Sequence, residues 1–304
     1  MNPFRRVIGN EQVTSALTVA IEAARRENRL PGHILLSGPA GTGKTKFSEM
    51  IAESLSSPLR RVHAPGITRR NANDLTKALI SLDGGTVLFI DEIHALPRES
   101  MEGLYEAMEQ CQVSLTVPTE DGGAKIITIP LNPFVLVGAT TDPGRLTEPL
   151  LSRFNRKLTL SEYSTDELLM ILQNHQEMID PGESTHGIRF DLGDLRSIAA
   201  RSRGRARNAL ELFGVCRDHL ISGSTIEKAF EESGLGSQGQ TGEDVTYVTT
   251  LRDVFRGGPA GIGAISTACG IKAETIERVI EPFLMRIGII RRTPRGRVLV
   301  GDFI

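Results

Sequence analysis

Short apolar runs alternate with longer amphipathic stretches through residues 1–160. The runs are Ile34-Leu35-Leu36, Thr86–Ile90 and Phe134–Val137, with a last strand expected at Arg156–Leu160 and a shorter candidate at Arg60–His63. Between them, helical patterns cover Glu11–Asn28, the stretch from Lys46, Asn73–Ser81 and Arg98–Gln110. Apolar runs separated by helices predict strands buried on both faces, so the expected fold is an α/β parallel sheet with helices on either side. One segment breaks the rhythm. Val113–Val117 and Ile126–Ile129 flank Pro118–Ala124 and predict an inserted β-hairpin.

Past residue 160 the strand character disappears. Residues 161–233 predict a small helical domain with helices at Thr165–Met178, Leu192–Ser202, Ala206–Ser222 and Thr225–Glu232. Gly234–Asp244 has linker composition. Residues 245–304 predict helices at Val248–Phe255, Ile262–Ala268 and Ala273–Ile287, with a turn at Cys269-Gly270-Ile271. Two strands follow, Gly288–Arg292 and Arg297–Val300, around Thr293-Pro294-Arg295-Gly296. That order of elements predicts a winged helix.

Composition narrows the picture modestly. The 304 residues carry 35 basic and 37 acidic side chains, so net charge says nothing about nucleic acid. Cys111, Cys216 and Cys269 lie far apart, and the histidines lack metal-ligand spacing, which argues against a disulfide framework or a zinc site. No apolar run approaches the ~18 residues a membrane helix needs, and no signal-peptide pattern is present. A cytoplasmic protein with no membrane partner is expected.

The chemistry is concentrated after the apolar runs. Gly38-Pro39-Ala40-Gly41-Thr42-Gly43-Lys44-Thr45 satisfies G-x-x-x-x-G-K-[ST] and sits between a predicted strand and helix. Glycines let backbone N–H groups converge on phosphate, and the helix N-terminus favours negative charge. Lys44 is expected to reach the β/γ-phosphates of ATP and Thr45 to ligand Mg²⁺. Thr86–Ile90 ends in Asp91-Glu92, with Asp91 placed for the metal ion and Glu92 for the attacking water. Phe134–Val137 runs into Gly138-Ala139-Thr140-Thr141, where a hydroxyl could sense the γ-phosphate or orient water. Arg153 could complete a neighbouring subunit's site, although most such arginines are simply exposed. Gly204-Arg205-Ala206-Arg207-Asn208 offers another basic group.

Together with Asp91-Glu92-Ile93-His94, Ser152-Arg153-Phe154 and Arg207, these motifs resemble those of AAA+ ATPases, and within that superfamily the RuvB family. The most specific likeness is C-terminal, in Val279-Ile280-Glu281-Pro282-Phe283-Leu284 and Arg292-Thr293-Pro294-Arg295-Gly296-Arg297. The resemblance implies a hexameric, ATP-driven motor acting on Holliday junctions. It implies that Val7 and Ile8 line an adenine pocket, Thr141 is sensor 1, Arg153 is a trans-acting finger and Arg207 is sensor 2. It implies that the hairpin docks a RuvA-like partner. The chain departs from the family pattern at Lys46, at Asp142-Pro143, at Leu151 and in the acidic hairpin tip. Lys46 still belongs to the expected nucleotide-binding stretch.

The last domain is rich in arginine, with Arg292, Arg295 and Arg297 in the wing as candidate DNA contacts through phosphate. Arg295 and Arg297 flank Gly296, so both side chains are expected to project into solvent and to matter little for stability. Two other function classes fit the motifs: an AAA+ loader that remodels a protein, and a nucleotide-regulated transcription factor. DNA-stimulated hydrolysis separates them from the motor.

Overall fold

A computed structural model describes residues 3–71, 73–118, 123–179 and 189–301. The hairpin tip at 119–122, His186 and Asp302 lie outside them. The chain divides into two compact units. The first is Met1–Glu167 with Arg205–Arg207, and the second is Leu168–Gly204 with Asn208–Ile304.

In the first unit the elements are α1 (Glu11–Arg26), β1 (Ile34–Ser37), α2 (Lys44–Leu55), β2 (Leu59–His63), α3 (Asn73–Ile80), β3 (Val87–Asp91) and α4 (Arg98–Gln110). They continue with β4 (Gln112–Pro118), β5 (Ala124–Pro130), β6 (Val135–Thr140), α5 (Glu148–Ser152) and β7 (Arg156–Thr159). Five strands form a parallel sheet in the order β2-β3-β6-β1-β7. Alternate residues face opposite sides of it. Leu88, Ile90 and Leu136 enter one core with Leu104, Ile93 and Leu75. Val87, Phe89, Val135 and Val137 enter the other with Leu17, Phe47 and Ile51. Both faces are therefore dry, which is why these strands read as continuous apolar runs. The predicted hairpin is β4 paired antiparallel with β5, forming a sheet of its own.

The helical elements that follow are α6 (Thr165–Ile179), α7 (Leu192–Arg201), α8 (Ala206–Ile221) and α9 (Ile226–Glu232). Then come α10 (Gly242–Thr249), α11 (Ile262–Cys269), α12 (Ala273–Thr275), α13 (Glu281–Arg286), β8 (Ile290–Thr293) and β9 (Gly296–Leu299). Tyr247, Leu251, Ile265, Ile276, Ile280, Leu284 and Ile290 form the winged-helix core.

Two expectations change here. Gly234–Asp244 is not a free linker. The Asp244 carboxylate accepts from Thr241 N at 2.7 Å and Thr241 Oγ1 at 2.8 Å, which starts α10 at Gly242, six residues before the predicted Val248. Arg203 donates to Gly239 O at 2.6 Å and pairs with the buried Asp244, tying the connection down. The predicted helix Ala273–Ile287 is continuous to Arg286 but carries a π turn at Ile276–Ile280. Pro282 lies in the first turn of α13 and has no N–H to give the carbonyl of Arg278, so the ladder widens upstream of it.

Candidate active site and nucleic-acid interface

The sheet order places β6 between β1 and β3. The segments leaving their carboxyl ends are therefore neighbours: the loop from Gly38, Asp91-Glu92, and Thr140-Thr141. Ser37 pairs with Thr140 and Ile90 with Gly138.

The loop Gly38–Gly43 has a conformation that its sequence demands. Gly38 has φ +139°, and a side chain there would lie 2.4 Å from the Leu160 carbonyl oxygen. Gly41 has φ +79° and packs against the backbone of Arg207, whose N–H points to Gly41 O at 3.4 Å. Thr42 Oγ1 donates to Pro39 O at 2.8 Å and closes the turn. Gly43 then caps α2. Lys44 is 7% exposed and donates to the carbonyls of Gly38 at 2.7 Å and Pro39 at 2.9 Å. Burial lowers its pKa; Glu92 and Asp91 oppose that shift, while Arg207 and Arg205 add to it. A buried ammonium held mainly by carbonyls, in a turn shaped by glycine, fits a phosphate chain. Thr45 is half-buried and Ala40 exposed beside it.

Asp91 ends β3 and Glu92 follows it, as the sequence placed them. Glu92 sits at φ +50°, a left-handed conformation uncommon for this residue type. Its Oε2 accepts from Thr141 Oγ1 at 2.9 Å and Thr141 N at 3.0 Å. His94 Nδ1 lies 3.3 Å from the same oxygen and 2.8 Å from Thr140 Oγ1. Thr141 thus orients the carboxylate of Glu92. His94 and Thr140 support it, a role that sequence reasoning did not assign. The Asp-Glu-Ile-His string was the available signal.

The metal would rest on Thr45 and Asp91. Hydroxyl and carboxylate are the hard oxygen donors Mg²⁺ prefers, and such sites commonly take only one or two ligands from protein. No cluster of three or more His, Cys, Asp or Glu side chains suited to a metal occurs among the described residues.

Val7 packs on the core beside α1, and Ile8 is half-buried. Asn10 Oδ1 accepts from Ser161 N at 2.7 Å, and Tyr163 Oη donates to Thr42 O at 3.0 Å. These contacts join the segment before α1 and the segment after β7 to the site, and nothing in the sequence marked Asn10 or Tyr163. Arg207 itself is exposed, and Arg205 pairs with Glu162 at 3.5 Å. Lys46 is an exposed partner of Glu49 at 3.1 Å rather than a buried P-loop group.

Arg153 follows α5. Its Nη2 donates to Glu109 Oε2 and its Nη1 to Pro149 O, both at 2.6 Å, and the guanidinium lies 5.1 Å from the Tyr105 ring centroid. Leu151 packs on the core beside α4. On that helix Glu106 accepts from Ser114 N and Oγ, each at 2.9 Å, anchoring the hairpin.

The wing corrects the expectation of solvated arginines. Arg297 is 14% exposed. Its Nε donates to Glu281 Oε1 at 2.8 Å and its Nη2 to Glu277 Oε1 at 3.0 Å. Arg292 Nε donates to Glu281 Oε2 at 2.6 Å, and Tyr247 Oη donates to Oε1 at 3.0 Å. Glu281 is fully buried and collects all three partners. Backbone pairing of Arg297 with Ala260 turns its side chain into the domain. Arg295 is exposed as predicted, and Arg291 is exposed too.

Fold and site together define a P-loop ATPase of the AAA+ type with a winged helix. Residues 2–160 match the family model for the Holliday junction DNA helicase RuvB P-loop domain, and residues 237–301 that for the RuvB C-terminal winged helix domain. The chain belongs to the RuvB family. It is 36% identical over 298 residues to the Holliday junction branch migration complex subunit RuvB of Thermotoga petrophila, covering 96% of this chain and 86% of that protein. It is 38% identical over 299 residues to RuvB of a Nocardioides species, covering 96% and 80%. A solved variant of Thermotoga maritima RuvB superposes with a TM-score of 0.83 at 33% identity, covering 99% of this chain and 95% of that one.

Proposed function

We propose that the chain is an ATP-driven motor for branched DNA. The observation that carries the reading is the juxtaposition of a buried Lys44 in a glycine-shaped loop with a Glu92 carboxylate oriented by Thr141. Lys44 and the N–H groups of Gly41–Thr45 hold the phosphates, with Val7 and Ile8 against the base. Mg²⁺ on Thr45 and Asp91 would neutralise charge developing between the β- and γ-phosphates. Glu92 accepts a proton from the attacking water as its oxygen bonds the γ-phosphorus and the bond to the bridging oxygen breaks. Arg207 adds positive charge from beside the P-loop. Arg153 acts on the nucleotide of an adjacent subunit, which requires a ring, expected to be hexameric.

Arg295 and Arg291 supply the sequence-independent backbone contact to DNA, with the outer face of Arg292 beside them. The hairpin exposes Ile127 at 42% and Val117 at 38% on one face and Ile126 at 68% on the other, apolar surface suited to a RuvA-like partner. The test is ATP hydrolysis and strand exchange on a four-way junction. Hydrolysis stimulated by the junction, with branch movement lost in Glu92→Gln, is expected. Hydrolysis indifferent to DNA would shift the reading to protein remodelling.

A further inference from the structure

Arginine side chains have four flexible torsions, and an arginine that must meet a phosphoryl group gains from being held in place beforehand. Arg153 is held unusually well for a surface residue. Glu109 Oε2 and the Pro149 carbonyl take one N–H from each Nη nitrogen, both at 2.6 Å, and the face of Tyr105 lies under the guanidinium. Tyr105 is fixed in turn by a 2.8 Å hydrogen bond between its hydroxyl and Thr147 Oγ1. These contacts use two of the five N–H donors of the guanidinium, leaving capacity for an anion. The pair is open to solvent, Arg153 at 26% and Glu109 at 59%, so it adds little to stability. A contact that contributes little to folding yet fixes the direction of a cation suits a role in placement.

We propose that Glu109 and Tyr105 are positioning residues for Arg153, holding its guanidinium on its own subunit in the orientation delivered to the neighbouring subunit's nucleotide. This rests on Arg153 being the trans-acting finger. Pro149 O, Glu109 and Tyr105 fix three sides of one planar group. Loss of the carboxylate frees an Nη and lets the plane turn about its stem. Loss of the ring removes the floor beneath it. Neither change touches Lys44, Glu92 or Thr141, so nucleotide binding in the altered subunit should stay as it was.

The experiment is steady-state hydrolysis by the assembled full-length chain, with kcat and KM read separately and Tm recorded. Glu109→Gln should lower kcat about 10- to 100-fold with KM and Tm unchanged, and Tyr105→Leu should lower kcat by a similar factor with KM unchanged. Glu109→Asp, which keeps the charge, should recover part of the loss. Glu109→Gln added to Arg153→Ala should cost nothing further. Glu109→Gln mixed with Lys44→Ala should exceed the mean of the two alone, because some interfaces then pair an intact pocket with a well-held arginine. Unchanged or faster turnover in Glu109→Gln, with Arg153→Ala inactive, overturns the clamp and leaves the finger standing. So does a loss that adds to that of Arg153→Ala. Normal turnover in Arg153→Ala overturns the finger reading and the clamp with it.

Discussion

The P-loop and the wing each bury a cation, and the two cations are satisfied in opposite ways. Lys44 hydrogen-bonds to backbone carbonyls, and burial lowers its pKa. Arg297 meets the carboxylates of Glu281 and Glu277, and its hydrogen bond to Glu281 raises its pKa. A desolvated ammonium without a bonded carboxylate is suited to an external anion. A guanidinium clamped by a buried carboxylate is already neutralised. Basic residues near a turn glycine therefore mean different things in the two units. The deciding quantity is the counter-charge that the fold brings up, not the charge itself.

The sharpest way to break this contrast is at the nucleotide site. Glu92→Gln should lower turnover about 10²- to 10⁴-fold while nucleotide affinity holds. Lys44→Ala should weaken nucleotide binding about 100-fold by loss of charged hydrogen bonds worth ~3 kcal/mol. Phosphate release and equilibrium titration with labelled nucleotide measure the two. Near-normal turnover by Glu92→Gln would remove the carboxylate from the chemistry.

In the wing the contrast predicts a stability effect where a binding effect might have been sought. Arg297→Ala leaves part of the Glu281 charge buried and unpaired, and should destabilise the winged helix by about 3 kcal/mol. Arg292 and the Tyr247 hydroxyl still contact Glu281, which keeps the loss at the lower end of the range for such pairs. Urea denaturation followed in the second unit checks it. A change under about 0.5 kcal/mol would mean that Arg297 is an ordinary exposed arginine.

A further test concerns pH. Cys216 is fully buried in α8, and burial pushes its thiol up to about 11 from 9.0. The folded state keeps the proton that the unfolded chain loses, so this contribution is complete below pH 9 and is lost as pH rises through 11. Tyr247, raised chiefly by burial and then by Glu281, acts in the same direction at higher pH. Stability of the second unit should decline from about pH 9 upward, and Cys216→Ala should flatten the first part of that decline.

The smallest effect belongs to an exposed arginine of the wing. Arg295→Ala should change stability by no more than about 0.5 kcal/mol. The slope of log DNA affinity against log salt should fall by about one, equally for all sequences. Unchanged affinity and slope would place the phosphate contact elsewhere.

Much of the first unit was legible. The P-loop announces itself because its chemistry depends on backbone geometry that particular residues at fixed spacing impose. The central strands β1, β3 and β6 were legible because a doubly covered sheet leaves no polar alternation, whereas the edge strands β2 and β7 carry charged, half-exposed residues. The hairpin was legible from its own alternation, and β4 and β5 fall within a residue or two of the predicted ends. Helix ends in the second unit were less so. Asp244 starts α10 through a cap that had read as linker, and Pro282 puts a π turn into a helix whose apolar pattern runs through it. In both cases one polar or conformational residue overrode composition.

By itself the sequence determined the fold class, the nucleotide loop and the positions of Asp91, Glu92 and Thr141, because each depends on residue type and short spacing. Only the tertiary structure decided which oxygen Thr141 would hold, that Glu109 and Tyr105 would face Arg153, and that Arg297 would be consumed by Glu281. Those outcomes join residues 49, 44 and 16 positions apart. Charge and hydrogen-bonding capacity are written locally, but their satisfaction is a property of whichever distant groups packing delivers.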